Sequence, residues 1–190
     1  EVATYHTVFA QADPERGARS LSCFVVPTDL PGVEIVSRLD KMGQRGSVQN
    51  EIKYNEVELP VDYLLGREGE GFLIGMKTFD RTRTGVAALS VGIARSAYEV
   101  SKDWAKNRIQ FGKPVTANQG VSFMLAEMAT KVELARLMTW KAAWYFEQGL
   151  KTPGVYSAMA KYFASDVAME VTTDAVQVMG GDGYSRSFGV

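Results

Sequence analysis

Residues 118–148 read NQGVSFMLAEMATKVELARLMTWKAAWYFEQ, and this stretch decides the fold class of the chain. Apolar side chains recur in it at alternating spacings of four and three residues, at Val121, Leu125, Met128, Val132 and Ala135. Side chains with these spacings share one face of an α-helix. The pattern therefore predicts a helix of several turns with one apolar face.

Two further stretches predict helices of similar length. Residues 71–107 lack proline and end shortly before Gly112 and Pro114, which stop a helix. Residues 154–179 end at Gly180, where glycine accepts a left-handed backbone without penalty. Helices much longer than the mean of about 12 residues pack as nearly antiparallel bundles. We therefore expect the second part of the chain to form an up-down helical bundle.

Large apolar side chains along these helices have two interpretations, a cofactor-binding surface or the core of the bundle. The core is the commoner role for aromatic and methionine side chains on long helices. On this basis we assign the following residues to the bundle core: Phe123, Met124, Met138, Trp140, Trp144 and Phe163.

The first 60 residues follow a different pattern, in which short β-rich runs alternate with turn residues. Strands are predicted at residues 5–10, 21–26, 33–36 and 51–60. Four or five strands are too few for a closed barrel, so they resemble one end of a larger β domain. The predicted fold class is α+β, with a partial antiparallel β domain at residues 1–66 and an incomplete helical bundle at residues 67–190.

Composition excludes several classes of function. Its 21 basic and 22 acidic residues nearly cancel, so no strong field favours nucleic acid as a partner. With a single cysteine, Cys23, and a single histidine, His6, the chain has no internal disulfide and no Cys/His metal cluster. A nucleophilic hydrolase would depend on His6 alone. No apolar run approaches the length of about 18 residues that spans a membrane.

Three candidate site motifs are weak when each is taken alone. The segment Gly180-Gly181-Asp182-Gly183 follows a helix, whereas a dinucleotide-binding loop follows a strand. Asp80 and Arg83 have the spacing of an ordinary salt bridge on a helix. Arg108 and Lys113 have the positions of ordinary charges at a helix end.

Taken together and in order, the motifs resemble those of the acyl-CoA dehydrogenases along essentially the whole chain. They are KMGQRGS at residues 41–47, VELP at 57–60, LGREGEGF at 65–72, FDRTR at 79–83, RIQFGKP at 108–114, Gln119, and QVMGGDGY at 177–184. The resemblance implies a chain that contains the end of the central β domain and most of the C-terminal helical domain of such an enzyme.

The resemblance also implies how substrate would be bound. Members of the family hold FAD and oxidise an acyl-CoA thioester to the trans-2-enoyl-CoA, as a carboxylate removes the α proton and a hydride leaves the β carbon for flavin N5. By resemblance, Asp80, Arg81, Thr82 and Arg83 meet the CoA thioester, and Arg83 supplies a cation in a buried site of low dielectric. Arg45 matches a structural arginine of the β domain.

Two other segments match positions that contact the cofactor. Arg108, Gln110 and Gln119 match residues that contact FAD bound mainly by the neighbouring subunit, and an arginine suits a pyrophosphate. A second segment matches the stretch that approaches the adenosine end of FAD, and its members are Gln177, Val178, Met179, Gly180 and Gly181.

The family's catalytic glutamate is expected beyond Val190, so no catalytic residue is assigned within this chain. A minority of members place the base at the position filled here by Thr82, whose hydroxyl is no base near neutral pH. We therefore expect the chain alone to be inactive and to be a piece of a longer enzyme. Two alternatives stay open: a binding or assembly module without chemistry, and an acyl-CoA oxidase-like flavoenzyme on the same scaffold.

The resemblance implies three partners, namely acyl-CoA, further copies of the chain in a dimer or tetramer, and an electron-transfer flavoprotein. Exposed sheet edges and unpaired helix faces independently favour self-association. The expected compartment is a bacterial cytoplasm or a mitochondrial matrix.

Overall fold

A computed structural model describes residues 2–150 and 153–189. Residue contacts divide the chain into two compact units between Lys77 and Thr78. The first unit contains the two larger sheets, and the second contains most of the helical sequence and one short hairpin, which agrees with the α+β class predicted from the change of period.

The first unit consists of two antiparallel sheets. One sheet has the order β1–β2–β5, with β1 at Tyr5–Gln11, β2 at Leu21–Pro27 and β5 at Leu64–Leu65. The other pairs β3 at Val33–Arg38 with β4 at Asn50–Tyr54. The predicted strand at residues 51–60 was too long, because Glu56 adopts a φ of +48° that interrupts extended backbone.

The two residues considered for nucleophilic chemistry have structural roles in the first unit. His6 Nδ1 and the Tyr54 hydroxyl lie 2.8 Å apart and share a hydrogen bond that joins β1 to β4. Cys23 is fully buried in β2, and this burial raises the pKa of its thiol. Neither residue is placed to act as a nucleophile or its base. Arg45 donates from Nε to the Lys41 carbonyl oxygen at 2.9 Å, a local structural contact.

The second unit is built on three long helices, α1 at Gly71–Asn107, α2 at Gln119–Glu147 and α3 at Pro153–Met179. A short hairpin of β6 at Ile109–Gln110 and β7 at Lys113–Pro114 separates α1 from α2. Short 3-10 turns complete the described elements at Pro14–Ser20, where Gly17 interrupts the helical backbone with a φ of +56°, and at Val61–Tyr63 and Val115–Ala117. The predicted helix limits agree with these bounds to within one residue.

Contacts between the helices establish an up-down-up arrangement. Near its C-terminal end α2 stacks Tyr145 on Tyr156 of the first turn of α3, with ring centroids 3.9 Å apart. Lys131, near the middle of α2, bonds to Glu170 in the second half of α3 at 2.9 Å. Later residues of α2 therefore meet earlier residues of α3, as antiparallel helices require, which confirms the predicted bundle.

The core of the second unit follows the predicted apolar face of α2. The buried residues of α2 are Leu125, Met128, Val132, Ala135, Thr139 and Ala142. They meet a face of α3 and four alanines of α1 in one cluster. The small side chains let the helix axes approach closely.

The assignment of aromatic side chains to this core was partly wrong. Met124, Met138 and Phe163 pack against the core, but Phe123, Trp140 and Trp144 keep 60%, 61% and 51% of their surface exposed. The three exposed rings lie one or two positions along the chain from residues of the apolar face. Successive residues of a helix point about 100° apart around its axis, so these rings point away from that face. Position on the helix therefore outweighs side-chain type in deciding which residues are buried.

No helix in the described part of the chain is both long and apolar enough to cross a membrane. Among the same residues, no group of three or more His, Cys, Asp or Glu side chains is arranged to hold a metal ion.

Candidate functional site

The first candidate cluster lies on α1 around Asp80 and Arg83. Arg83 Nη1 donates to Asp80 Oδ1 at 2.9 Å, which confirms the predicted salt bridge. The Arg83 side chain is 37% exposed, so the expected buried, low-dielectric surroundings are not provided by this chain. An ion pair with this exposure contributes only a few tenths of a kcal/mol to stability.

Gly154, in the first turn of α3, completes the surroundings of Asp80. A Cβ at this glycine would lie 2.8 Å from Asp80 Cγ and from both carboxylate oxygens. The carboxylate therefore lies against the N-terminal turn of α3, where unpaired N–H groups and the helix dipole favour negative charge. A side chain at this position would displace the carboxylate from its present place, and sequence reasoning assigned Gly154 no role at the site.

The other two residues predicted to meet substrate, Arg81 and Thr82, are exposed on α1. Thr84, which follows Arg83, has a buried hydroxyl that finds no hydrogen-bond partner among the described residues. Such unpaired groups are rare and are a reason to look for a polar ligand nearby.

The second candidate cluster begins where α1 ends. Arg108 and Gln110 are exposed, and the carbonyl oxygen of Arg108 accepts a hydrogen bond from Val115 N at 2.9 Å. This bond closes a two-residue hairpin whose tip, Phe111 and Gly112, has φ values of +51° and +77°. A positive φ is costly for an aromatic residue, and strained positions of this kind cluster at functional sites. The Phe111 side chain is 97% exposed.

Gln119, the third residue of this predicted group, is the first residue of α2 and is exposed. Eight residues separate it from Gln110 along the chain, and they include the hairpin tip and the short helix Val115–Ala117. Its amide is available to a ligand near the start of α2.

The segment that ends α3 contains both exposed and buried side chains, so its residues differ in which groups can contact a ligand. Gln177 is exposed, but the side chains of Val178 and Met179 are buried in the core, so only their backbone groups can contact a ligand. Gly180 adopts a φ of +58° and donates to Val176 O at 2.9 Å, which ends the helix as predicted. Apart from its chain neighbours, no described residue comes within 4 Å of the position that a Cβ would occupy at Gly181, so its backbone is open to close approach.

Trp104 connects the two segments that were predicted to contact the cofactor. Its Nε1 donates to Asp182 Oδ2 at 3.0 Å, and the Arg108 Cζ lies 6.0 Å from the centroid of its ring. Sequence reasoning missed both Trp104 and Asp182. The i, i+4 spacing of Trp104 and Arg108 was a visible signal of a ring-cation contact.

The substrate and cofactor clusters lie far apart within one chain. From Asp80 to Arg108 the backbone is almost entirely the continuous helix α1. At a rise of about 1.5 Å per residue, this stretch is about 40 Å long. The two clusters of one chain therefore do not form one site.

With this geometry in place, comparison with known proteins identifies the family. The family described as "Acyl-CoA dehydrogenase, C-terminal domain" matches residues 69–190, which include both clusters. The chain belongs to the acyl-CoA dehydrogenase family.

Individual members of the family match along the whole chain. Cyclohex-1-ene-1-carbonyl-CoA dehydrogenase of Geobacter metallireducens is 44% identical over 189 residues, which cover 100% of this chain and 50% of that protein. The solved butyryl-CoA dehydrogenase of Megasphaera elsdenii is 42% identical with a TM-score of 0.94, over 97% of this chain and 48% of that chain.

A further solved structure, described as an electron transferring flavoprotein of Acidaminococcus fermentans, is 43% identical with a TM-score of 0.94. That match covers 98% of this chain and 49% of the other. The chain thus spans about half the length of the acyl-CoA dehydrogenase relatives that it matches.

Proposed function

We propose that this chain is part of an FAD-dependent acyl-CoA dehydrogenase that oxidises an acyl-CoA thioester to the trans-2-enoyl-CoA. The observation that carries the proposal is the 44% identity to a named acyl-CoA dehydrogenase over 189 residues. The matched region includes the substrate cluster around Asp80 and the cofactor cluster around Arg108. When bound, FAD supplies the acceptor for the hydride that leaves the β carbon.

We assign substrate contacts to Asp80, Arg81, Thr82 and Arg83. Asp80 orients the Arg83 guanidinium through the 2.9 Å bond, which leaves other N–H donors of this group free to bind an oxygen of the thioester substrate. Arg81 and Thr82 are exposed beside this pair. Because Thr82 is no base and Asp80 is paired, we propose that a carboxylate outside this chain removes the α proton.

The residues of the cofactor cluster have the chemistry that FAD requires. Arg108 presents an exposed guanidinium, whose fork of donors fits two oxygens of a pyrophosphate. Gln110, Gln119 and Gln177 offer exposed amides, which both donate and accept hydrogen bonds. Gly180 and Gly181 let the backbone approach a ligand closely, and we propose the backbone of Val178 and Met179 as part of the same surface.

We propose that the complete protein is a homodimer or a homotetramer in which Arg108 contacts FAD held mainly by a neighbouring subunit. The separation of about 40 Å along α1 supports this arrangement, because one flavin cannot meet both clusters of the same chain. The exposed Phe111 at the hairpin tip supports it as well. We further propose an electron-transfer flavoprotein as the electron acceptor, in a bacterial cytoplasm or a mitochondrial matrix.

The decisive experiment is anaerobic titration of the complete gene product that contains this chain with saturated acyl-CoAs. We expect the flavin absorbance band to bleach with at least one acyl-CoA among short, medium, long, branched and cyclic substrates. Failure of every acyl-CoA to bleach the flavin would overturn the proposal. Transfer of electrons to an electron-transfer flavoprotein, with slow reoxidation in air, would separate a dehydrogenase from an oxidase.

Replacement of Gly154 by alanine tests the substrate cluster. Its Cβ would lie 2.8 Å from the Asp80 carboxylate, so the carboxylate must move and the Asp80–Arg83 bond must change. We expect KM for acyl-CoA to rise severalfold, while stability changes by less than about 1 kcal/mol because only a side-chain end is displaced.

Gly85→Ala is the matched control for this variant, because its Cβ position on α1 has no contact within 4 Å among the described residues beyond its own helix backbone and chain neighbours. We expect an unchanged KM and a gain in stability of about 0.5–1 kcal/mol. Equal KM values for the two variants and the unmodified enzyme would contradict a role of the Asp80 position in substrate binding.

A further inference from the structure

Trp104 lies in the last turn of α1 and makes one specific polar contact. Its half-buried ring packs against the core of the second unit, and its Nε1 donates to Asp182 Oδ2 at 3.0 Å. The indole has a single N–H donor, and the acceptor is a carboxylate, so this is a charge-assisted bond. The bond joins positions that are 78 residues apart in the sequence.

The same ring is in contact with Arg108, one turn further along. The Arg108 Cζ lies 6.0 Å from the ring centroid, and the Arg108 backbone N–H donates to Trp104 O at 2.9 Å. Because Arg108 O also accepts from Val115 N, the β6–β7 hairpin is anchored to the turn of α1 that carries Trp104. The ring thus supports the side chain that we assign to the cofactor pyrophosphate.

The glycine-rich segment at residues 180–183 is folded tightly against the end of α3. Gly183 is buried, and a Cβ there would lie 2.7 Å from Val176 O. This close packing directs the segment back toward the helices. Asp182 is the residue of the segment whose side chain bonds to α1.

We propose that Trp104 is a positioning residue that joins the Arg108 hairpin and the glycine-rich segment into one cradle for FAD. Its N–H binds the Asp182 carboxylate, whose negative charge would otherwise be free to repel a pyrophosphate. Its ring face contacts the Arg108 guanidinium and keeps that side chain in place. Trp104 itself need not touch the cofactor. This inference rests on the proposed function, because it assigns the cradle to FAD.

Three variants of the purified full-length enzyme test the inference. Trp104→Phe keeps an aromatic face but removes the donor, Asp182→Ala removes the acceptor, and Asp182→Asn keeps a neutral acceptor at the same place. Trp140→Phe is the matched control, since Trp140 is exposed on α2. The readouts are the FAD dissociation constant of the enzyme stripped of flavin and backbone hydrogen exchange without flavin.

We expect Trp104→Phe and Asp182→Ala each to weaken FAD binding about tenfold, the effect of losing one charge-assisted hydrogen bond. Hydrogen exchange at residues 180–185 should be about tenfold faster in both variants. The backbone exchanges when this segment opens, and opening costs less free energy when the Trp104–Asp182 hydrogen bond is absent. We expect Asp182→Asn, which keeps an acceptor but not the charge, to lose about half as much binding free energy as Asp182→Ala, and Trp140→Phe to change neither property.

Unchanged exchange at residues 180–185 in both Trp104→Phe and Asp182→Ala would overturn the inference, as would unchanged FAD affinity in both. If the unmodified enzyme held no FAD, the proposed function would be wrong, and the assignment of the cradle to FAD would be wrong as well. The exchange data would then still show whether Trp104 joins the two segments.

Discussion

Replacing Arg108 with alanine is expected to weaken FAD binding by about 10- to 100-fold, the loss that follows removal of hydrogen bonds to a charged group. Arg108 is exposed at the end of α1 and is seated on Trp104, so its guanidinium is available and held in place. The native fold should survive, because the side chain is not part of the core. The measurement is flavin fluorescence during titration of the flavin-free enzyme.

Two further variants make the Arg108 result specific. Arg108→Lys keeps the charge but loses the fork of donors, so we expect an intermediate loss of affinity. Arg95→Ala removes an equal charge from α1, at a site where the arginine bonds to Glu99 on the same helix, and we expect FAD affinity to be unchanged. Equal losses in Arg108→Ala and Arg95→Ala would show that overall charge, and not a specific contact, governs flavin affinity.

Replacing Met128 with alanine is expected to lower the free energy of unfolding by about 2–5 kcal/mol. Met128 is fully buried at the centre of the apolar face of α2, where it meets residues of α1 and α3. Truncation leaves a cavity that neighbouring alanines are too small to fill. Denaturant unfolding followed by circular dichroism measures the effect.

Met169→Ala is the matched control for the core variant. Met169 lies on α3 with 71% of its surface exposed, so the same chemical change removes little buried area. We expect a change within about 0.5 kcal/mol. A similar loss in both variants would mean that the exposed face of α3 is itself covered in the native assembly.

Much of the secondary structure was predictable from local signals. The limits of α1 and α3 followed from glycine and proline, which act on the backbone of their own residue and the next turn. The buried face of α2 followed from its spacing of three and four residues. The strand at residues 51–60 was predicted too long because alternation alone does not reveal the positive φ at Glu56.

Side-chain type was a poorer guide than periodicity. Trp140 and Trp144 were placed in the core for their size, although neither lies on the apolar face defined by Leu125 and Met128. The buried positions that continue this face are Thr139 and Ala142. Small side chains at such positions allow neighbouring helices to approach closely.

The candidate sites also contain some features that local sequence encodes and others that depend on tertiary packing. The sequence by itself determined the family and the Asp80–Arg83 pair, because each depends on residues close together in the chain or on ordered motifs, and the two clusters of candidate site residues stay predictions from the same motifs. Only the tertiary structure placed Gly154 against Asp80 and Trp104 against Asp182. These pairs are separated by more than 70 residues, and what brings them together is the packing of α1 beside α3, which no local pattern encodes.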